Sequence, residues 1–216
     1  MVKNILWDFD GVILDSMPIR DKGFIEIFKD FDNEKVDLLL QYHKKNGGLS
    51  RYVKIRYFFE NILNKSISDD EILNYAGNFS NIMKTELINP DNLINDSITF
   101  IRKNYKNYNF HIVSGSDQNE LRFLCQELGI FNLFISIQGS PTHKNELVKN
   151  ILIDNDYIKE ETILIGDSIN DYYASIENNI DFFAYNCDKE LEKINEIRTI
   201  STFEKVLNFK YSYNKK

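Results

Sequence analysis

The chain has 216 residues, of which 43% are hydrophobic, and its formal net charge is −7 at pH 7. This much apolar sequence can fill a full core, alone or with a smaller inserted unit, and it excludes a largely disordered chain. The acidic balance argues against a nucleic-acid partner, because a phosphate backbone is bound through clustered lysine and arginine.

Two cysteines occur, Cys125 and Cys187, and they form no CxxC pair. The sequence therefore predicts neither a disulfide framework nor a zinc site, and it favours a cytoplasmic location.

The opening residues, MVKNILWDFD, hold an apolar run that is too short for a secretory signal. No run approaches the roughly 20 apolar residues of a membrane span. We expect no membrane partner, and a chain that works as a monomer or a small homo-oligomer.

Five short apolar runs along the chain predict buried strands. They cover residues 3–8, 109–116, 133–140, 162–168 and 181–186. Segments with helical spacing alternate with the later runs, at residues 91–105, 117–128, 142–156 and 168–178. This alternation predicts an α/β fold with a Rossmann-like parallel sheet core and helices on both faces.

Residues 17–88 interrupt the alternation, since they show successive amphipathic helices and no convincing strand. The sequence therefore predicts an inserted all-helical cap domain at 17–88 and a core formed by residues 1–16 and 89–216. Ligands of an open parallel sheet bind outside the carboxyl ends of its strands, so the insertion is expected to cover the site as a lid.

Asp8 and Asp10 follow the first predicted strand in the sequence DFDG. A calcium loop is excluded, because Leu6 and Met17 stand where that loop needs its first and last carboxylates. An ordinary Asp-Gly turn stays open. In the third interpretation Asp8 attacks a phosphorus atom and Asp10 acts as acid and base, with Mg²⁺ as the counter-charge that both carboxylates require.

The other strand ends offer the remaining parts of such a site. Asp167 and Asp171 lie where a loop enters a helix and are candidate metal ligands opposite Asp8. The Ser114 hydroxyl and the Gly115 amide are candidate donors to phosphoryl oxygens. Lys144 is the candidate cation that neutralises the phosphate and its nucleophile.

These motifs together resemble the haloacid dehalogenase superfamily. DFDGVILDS, VSGS, SPTHK and GDSIND occur in the order and spacing of its four motifs, and the helical insertion resembles the small-cap branch with phosphoglycolate phosphatase and β-phosphoglucomutase. The resemblance covers essentially the whole chain. It implies that Asp8 is the nucleophile, that Asp10 is the acid and base and lends its carbonyl to Mg²⁺, that Asp167 is a metal ligand, and that Ser114 and Lys144 hold the phosphate.

The chain departs from the family pattern at two of these positions. The family lysine usually stands directly before a proline, whereas Lys144 comes three residues after Pro141, and Ser114 replaces the commoner threonine but keeps the hydroxyl. The second aspartate, Asp10, is absent from haloacid dehalogenases proper, so its presence favours a phosphate substrate. Asp15 and Ser16 are predicted to cap the first helix of the insertion.

The cap sequence GGLSRYVKI resembles the substrate-specificity loop of this branch. Its Arg51 is the candidate donor to a carboxylate or a second phosphate, ahead of Lys54, whereas His43 is interpreted as structural. We expect a small phosphomonoester as substrate, either a sugar phosphate or a phosphoglycolate-like acid. Two alternatives stay open: a sugar-phosphate mutase, although Arg20 stands where such mutases have histidine, and a non-catalytic binding module of the same fold.

Overall fold

The computed structural model describes residues 1–187, 191–194, 197–200 and 202–203. A five-stranded sheet lies at its centre, and every pairing in it is parallel, in the order β3-β2-β1-β4-β5. The strands are β1 (Asn4–Trp7), β2 (Asn109–Asp117), β3 (Ser136–Ser140), β4 (Thr162–Gly166) and β5 (Asp181–Ala184). The predicted Rossmann-like parallel sheet is therefore confirmed.

Four helices connect the strands of the core: α5 (Asn95–Asn104), α6 (Gln118–Glu127), α7 (Lys144–Asp154) and α8 (Ile169–Asn178). They cover both faces of the sheet, as the alternation of side chains along β1 shows. Ile5 and Trp7 lie in one buried cluster with Leu121 of α6, whereas Leu6 lies in a second cluster with Val148 of α7. A strand that is buried on both faces explains why its sequence is continuously apolar.

The cap consists of four helices between β1 and α5: α1 (Met17–Ile27), α2 (Asn33–Lys45), α3 (Arg51–Tyr57) and α4 (Asp69–Glu86). A single π-helical turn, Phe58–Ile62, continues α3. Aromatic rings fill the cap interior, for example Phe28 and Phe58 with ring centroids 4.2 Å apart. The division of the chain at residues 16 and 89 into two domains stays a prediction.

Ser16 at the start of α1 forms a different hydrogen bond from the one that its sequence position predicts. Ser16 occupies the N-cap position of α1, but its hydroxyl makes no capping hydrogen bond and instead donates to the Asp10 carboxylate. The predicted cap position of Ser16 is therefore confirmed, but its side chain forms no capping bond, because its backbone (φ −107°, ψ −17°) is outside the extended region usual for an N-cap and its hydroxyl is turned to Asp10. No helix within the described ranges is long and apolar enough to cross a membrane.

We expect alanine substitution of two cap glycines to change stability in opposite directions. A Cβ on Gly23 of α1 would lie 2.6 Å from Met83 Cε and 2.9 Å from Phe79 Cε2 in α4, so Gly23→Ala should cost about 1–3 kcal/mol through overpacking. A Cβ on Gly77 would meet nothing within 4 Å, so Gly77→Ala should stabilise its helix by about 0.5–1 kcal/mol. Urea unfolding of both variants measures the changes, and a Gly23→Ala variant as stable as the native chain would contradict this packing.

Candidate active site

The carboxyl ends of β1, β2 and β4 meet at one edge of the sheet and bring the predicted residues together. Asp8 follows β1, Ser114 and Gly115 lie in β2, and Asp167 follows β4. All four line one cavity of about 160 Å³, which the cap helices close from the other side. Lys144, the first residue of α7, reaches Asp8 at this edge. The predicted convergence at the strand ends is therefore what the structure shows.

Lys144 forms ion pairs with two buried carboxylates. Its Nζ lies 2.8 Å from Asp8 Oδ1, and it also donates to Asp171 Oδ1. Burial, and after it repulsion by Asp171, raises the pKa of Asp8 to about 7, although the charge of Lys144 lowers it. Burial alone would lower the pKa of Lys144, but Asp171 and Asp8 outweigh burial and raise it. The lysine therefore stays charged although it is buried.

Asp171 uses both of its oxygens within the protein. Oδ1 accepts from Lys144, and Oδ2 accepts from the Ser168 hydroxyl at 2.6 Å and from the Ser168 amide at 3.1 Å, in a capping box that begins α8. An ionised carboxylate has about four lone-pair sites, so these three hydrogen bonds leave Oδ1 able to accept one further ligand. The part of Asp171 as a direct ligand stays a prediction, and its bond to Lys144 shows that it positions that lysine.

Asp8, Asp167 and Asp171 form an acidic group that suits a hard cation. One carboxylate oxygen of each lies within 4.8 Å of the others. Within the described part of the chain, the Asp167 carboxylate makes no hydrogen bond or ion pair. Burial, followed by repulsion from Asp8 and Asp171, raises the pKa of Asp167 well above its usual value. Mg²⁺ prefers such oxygen ligands, so the donor set fits the ion that the sequence predicts.

The Asp10 carboxylate lies outside that acidic group, in a set of hydrogen bonds of its own. Oδ1 accepts from the Ser16 hydroxyl and from Arg20 Nε at 2.7 Å, and Oδ2 accepts from the Ser116 hydroxyl at 2.5 Å. Burial raises the pKa of Asp10, but Arg20 and these hydrogen bonds outweigh burial, so the pKa lies below its usual value. The predicted metal contact of Asp10 through its backbone carbonyl stays a prediction.

Ser114 and Gly115 lie directly under the cap. The Ser114 hydroxyl accepts a hydrogen bond of 3.0 Å from the Ser116 amide. A Cβ on Gly115 would lie 2.3 Å from the carbonyl oxygen of Gly48, which belongs to the loop between α2 and α3. Only a glycine allows this approach, so the backbone of β2 and the cap loop touch beside the cavity.

Arg51 lines the cavity, and both donors of its Nη1 are already used. Nη1 lies 2.5 Å from Glu120 Oε2 and 2.6 Å from the Ser80 hydroxyl. The other oxygen of Glu120 accepts from Arg20 Nη1 at 3.2 Å. Glu120 is fully buried in α6 and thus holds two cap arginines to the core. Arg51 is thus partly engaged by the protein, and its Nη2 is buried without a hydrogen-bond partner within the described residues.

Four residues that the sequence did not place in the site belong to it, namely Arg20, His43, Ser116 and Glu120, and so does Lys54, which the sequence placed second to Arg51. All five are buried; Glu120 holds the two cap arginines, and the other four line the cavity. A signal for Lys54 was present in the sequence, because Lys54 shares a helical stripe with Ile55 and Phe58. A charged residue on an apolar stripe is buried with a partner or with a task, and either outcome identifies it as a site candidate.

A family model described as haloacid dehalogenase-like hydrolase matches residues 5–185. The chain therefore belongs to the haloacid dehalogenase-like hydrolases. No curated protein matches its sequence.

Three solved structures illustrate the likeness. β-Phosphoglucomutase from Clostridium difficile is 18% identical, with 96% of each chain covered and a TM-score of 0.76. A protein assigned as a phosphoglycolate phosphatase from Lactobacillus plantarum is 14% identical, with 96% of this chain and 99% of that chain covered and a TM-score of 0.73. YfnB from Bacillus subtilis, assigned to the same hydrolases and solved bound to magnesium, is 17% identical, with coverage of 96% and 98% and a TM-score of 0.69. At these identities the likeness shows the shared fold.

We expect Glu120→Gln to destabilise the protein by about 3–5 kcal/mol, because two buried arginines would lose the charge that pairs them. Urea unfolding measures the change. Glu127→Gln is the matched control, since Glu127 lies on the same helix and is exposed, and its effect should stay within about 0.5 kcal/mol. Equal stabilities of the two variants would show that Glu120 does not hold the cap arginines.

We expect Mg²⁺ to raise the melting temperature through Asp167. At about 100 times its Kd the ion should stabilise the native state by about 2.7 kcal/mol, or about 5–10 °C for a chain of this size. Asp167→Asn should abolish this shift in differential scanning fluorimetry, whereas Asp154→Asn, an exposed carboxylate on α7, should keep it. A shift that survives in Asp167→Asn would place the ion elsewhere.

Proposed function

We propose that the chain is a Mg²⁺-dependent phosphatase that hydrolyses a small phosphomonoester through an aspartyl-phosphate on Asp8. The observation that carries the proposal is the environment of Asp8, a buried carboxylate that is ion-paired with Lys144 and lies beside the unbonded carboxylate of Asp167. A carboxylate can approach a phosphate dianion only where cations neutralise both; Lys144 supplies one such cation, and the carboxylates of Asp8 and Asp167 could hold a second.

In the first half of the reaction an oxygen of Asp8 attacks phosphorus, and the bond from phosphorus to the ester oxygen breaks. Asp10 is the acid that protonates the departing alkoxide; because Arg20 and its hydrogen bonds lower the pKa of Asp10, it must take up that proton when the substrate binds. Lys144, the Ser114 hydroxyl and the Gly115 amide hold the phosphoryl oxygens, where their positive ends oppose the charge that develops. The products of this half are a free alcohol and an aspartyl-phosphate.

In the second half Asp10 takes a proton from water, and the water oxygen attacks the same phosphorus. The bond from phosphorus to Asp8 breaks, which releases inorganic phosphate and restores the carboxylate. Asp8 and Asp167, with the Asp10 carbonyl, are the groups that would hold Mg²⁺, which supplies neutralisation of carboxylate and phosphate when bound. Asp171 keeps Lys144 in place through its ion pair.

A sugar-phosphate mutase is the second candidate, and the fold likeness to β-phosphoglucomutase favours it. One residue argues against a mutase. Such mutases carry histidine at the position of Arg20, and in this chain Arg20 is ion-paired with Asp10. The two candidates differ in mass balance: a phosphatase releases one inorganic phosphate for each ester consumed, and a mutase yields an isomer without free phosphate. A binding module without activity, the third possibility, would release none and form no isomer.

We expect Asp8→Asn to lower the rate of phosphate release about 10³-fold or more, because the amide is no nucleophile. The measurement uses sugar phosphates, phosphoglycolate and nucleotides, each with Mg²⁺ and with chelator. Asp15→Asn is the matched control, because Asp15 is an exposed carboxylate of the same motif, and it should keep the native rate. Native turnover by Asp8→Asn on a compound that the native protein cleaves would refute the proposal.

A further inference from the structure

Strand β2 has a bulge at the residues that line the active-site cavity. The pairing of β2 with β3 is regular up to Val113 and resumes only at Asp117. Between these two rungs β2 has three residues, 114–116, whereas β3 has only Gly139. The surplus interrupts the ladder and bends the strand, as β-bulges do, so the side chains of the bulge can point where a regular strand would not place them.

All three residues of the bulge belong to the proposed site. Ser114 and Gly115 are the candidate donors to the phosphoryl oxygens, and the Ser116 hydroxyl donates a hydrogen bond of 2.5 Å to Asp10 Oδ2. All three also line the cavity beside Asp8. The shape of the bulge therefore decides where the donors of the phosphoryl site lie.

The side chain of Gln118, the first residue of α6, bonds to β3 where the ladder is interrupted. Its Oε1 accepts a hydrogen bond of 2.7 Å from the Gly139 amide, and its Nε2 donates one of 2.7 Å to the Ile137 carbonyl. A residue of a parallel strand pairs in the same manner, with one acceptor and one donor for the residues on either side of its partner. The amide group of Gln118 thus takes the place of a strand residue at the bulge.

Gly139 is the point at which β3 and the bulge touch. A Cβ at this position would lie 2.5 Å from the Ser116 carbonyl oxygen and 3.1 Å from Gln118 Cα. The Ser116 amide bonds within the bulge, to the Ser114 hydroxyl at 3.0 Å. By holding the Gly139 amide, Gln118 therefore fixes the surface of β3 on which the last residue of the bulge rests.

Arg122 provides a comparison on the same helix. It lies one turn after Gln118, and its Nε donates a hydrogen bond of 3.2 Å to the same Ile137 carbonyl. Because arginine has no acceptor, Arg122 cannot bind the Gly139 amide. Both side chains fasten α6 to β3, and of the two Gln118 alone also holds the strand at the bulge.

We propose that Gln118 is a positioning residue of the phosphoryl site, which acts by keeping the β2 bulge in the shape that its donors require. The inference rests on the phosphatase proposed above and adds a residue outside the cavity lining. Without the side-chain amide, β3 loses its partner at the bulge, and Ser114 and Gly115 are free to shift away from the phosphoryl group. Donors that oppose a developing charge depend on their position, and a displacement of about 1 Å costs about 10²-fold in rate.

Gln118→Met tests the assignment, because methionine keeps the length of the side chain and loses both hydrogen bonds. On a compound that the native protein cleaves, the variant should lose about 10- to 100-fold in kcat and keep KM within about 3-fold, since the displaced donors act mainly on charge that develops in the transition state. Arg122→Met is the matched control, because it removes a bond from the same helix to the same carbonyl, and it should keep kcat within about 2-fold.

Amide hydrogen exchange, followed at single residues by NMR, tests the bulge without turnover. The Gly139 amide should exchange slowly in native protein, since it is bonded to Gln118. In Gln118→Met we expect the amides of Gly139 and Ser116 to exchange about 10-fold faster or more, because the bulge opens locally. Arg122→Met should leave both rates unchanged.

Three kinetic results would overturn the assignment: native kcat in Gln118→Met, an equal loss of kcat in Arg122→Met, or a loss that falls on KM alone. If native protein cleaves no compound, the proposed phosphatase fails separately, and amide exchange then decides on Gln118. Faster exchange of the Ser116 amide in Gln118→Met alone would support Gln118 as the residue that holds the bulge. Equal exchange of this amide in native protein and both variants would overturn it.

Discussion

The two ion pairs of Lys144 allow three carboxylates to be buried together at one edge of the sheet. Parallel strands carry Asp8 and Asp167 to the same place, and α8 adds Asp171, so three carboxylates share a buried space. Repulsion within that space is relieved by one ammonium group, which α7 delivers to Asp8 and Asp171 at once. One lysine cannot balance three carboxylates, and the remaining negative charge is the physical reason to expect a divalent cation beside Asp167.

A second line of buried charge joins the core to the cap. Asp10 pairs with Arg20, Arg20 with Glu120, and Glu120 with Arg51, so the line runs from the end of β1 through α1 and α6 to α3. Breaking such a line is costly because each remaining charge stays buried. The same contacts hold the cap over Asp8 and orient the proposed acid and base. Lys54 lies next to this line and, within the described residues, takes no part in it, since its Nζ donates to the Gly47 carbonyl.

Much of the fold followed from local patterns in the sequence. Short apolar runs separated by amphipathic segments predicted every strand of the sheet, because a strand buried on both faces leaves a signal that needs no distant partner. The helix predicted at 91–105 was too long, since residues Pro90–Asn92 form a separate 3-10 turn before α5 begins at Asn95. Polar residues at strand ends predicted the convergence of Asp8, Ser114 and Asp167 for the same topological reason.

The ion pairs between the cap and the core could not be predicted from local sequence patterns. Arg51 and Glu120 are 69 positions apart and meet only because α3 of the cap lies over α6 of the core. The sequence therefore could not show that Arg51 is already paired, nor that Lys54, placed second to it, has no carboxylate partner in the described structure. The hydrogen bond of Ser16 could not be predicted for a similar reason. Its sequence position indicates a helix cap, whereas the fold turns its hydroxyl toward the Asp10 carboxylate.

Chemical trapping of the phosphorylated enzyme tests the central claim most directly. Native protein is mixed with Mg²⁺ and a substrate that it cleaves, quenched in acid during turnover, and reduced with borohydride, which converts an aspartyl-phosphate into homoserine. Peptide mass spectrometry then locates the modified residue. We expect homoserine at position 8, dependent on substrate and absent with chelator. Phosphate release with Asp8 unmodified, or with homoserine at Asp10 or Asp167, would contradict it.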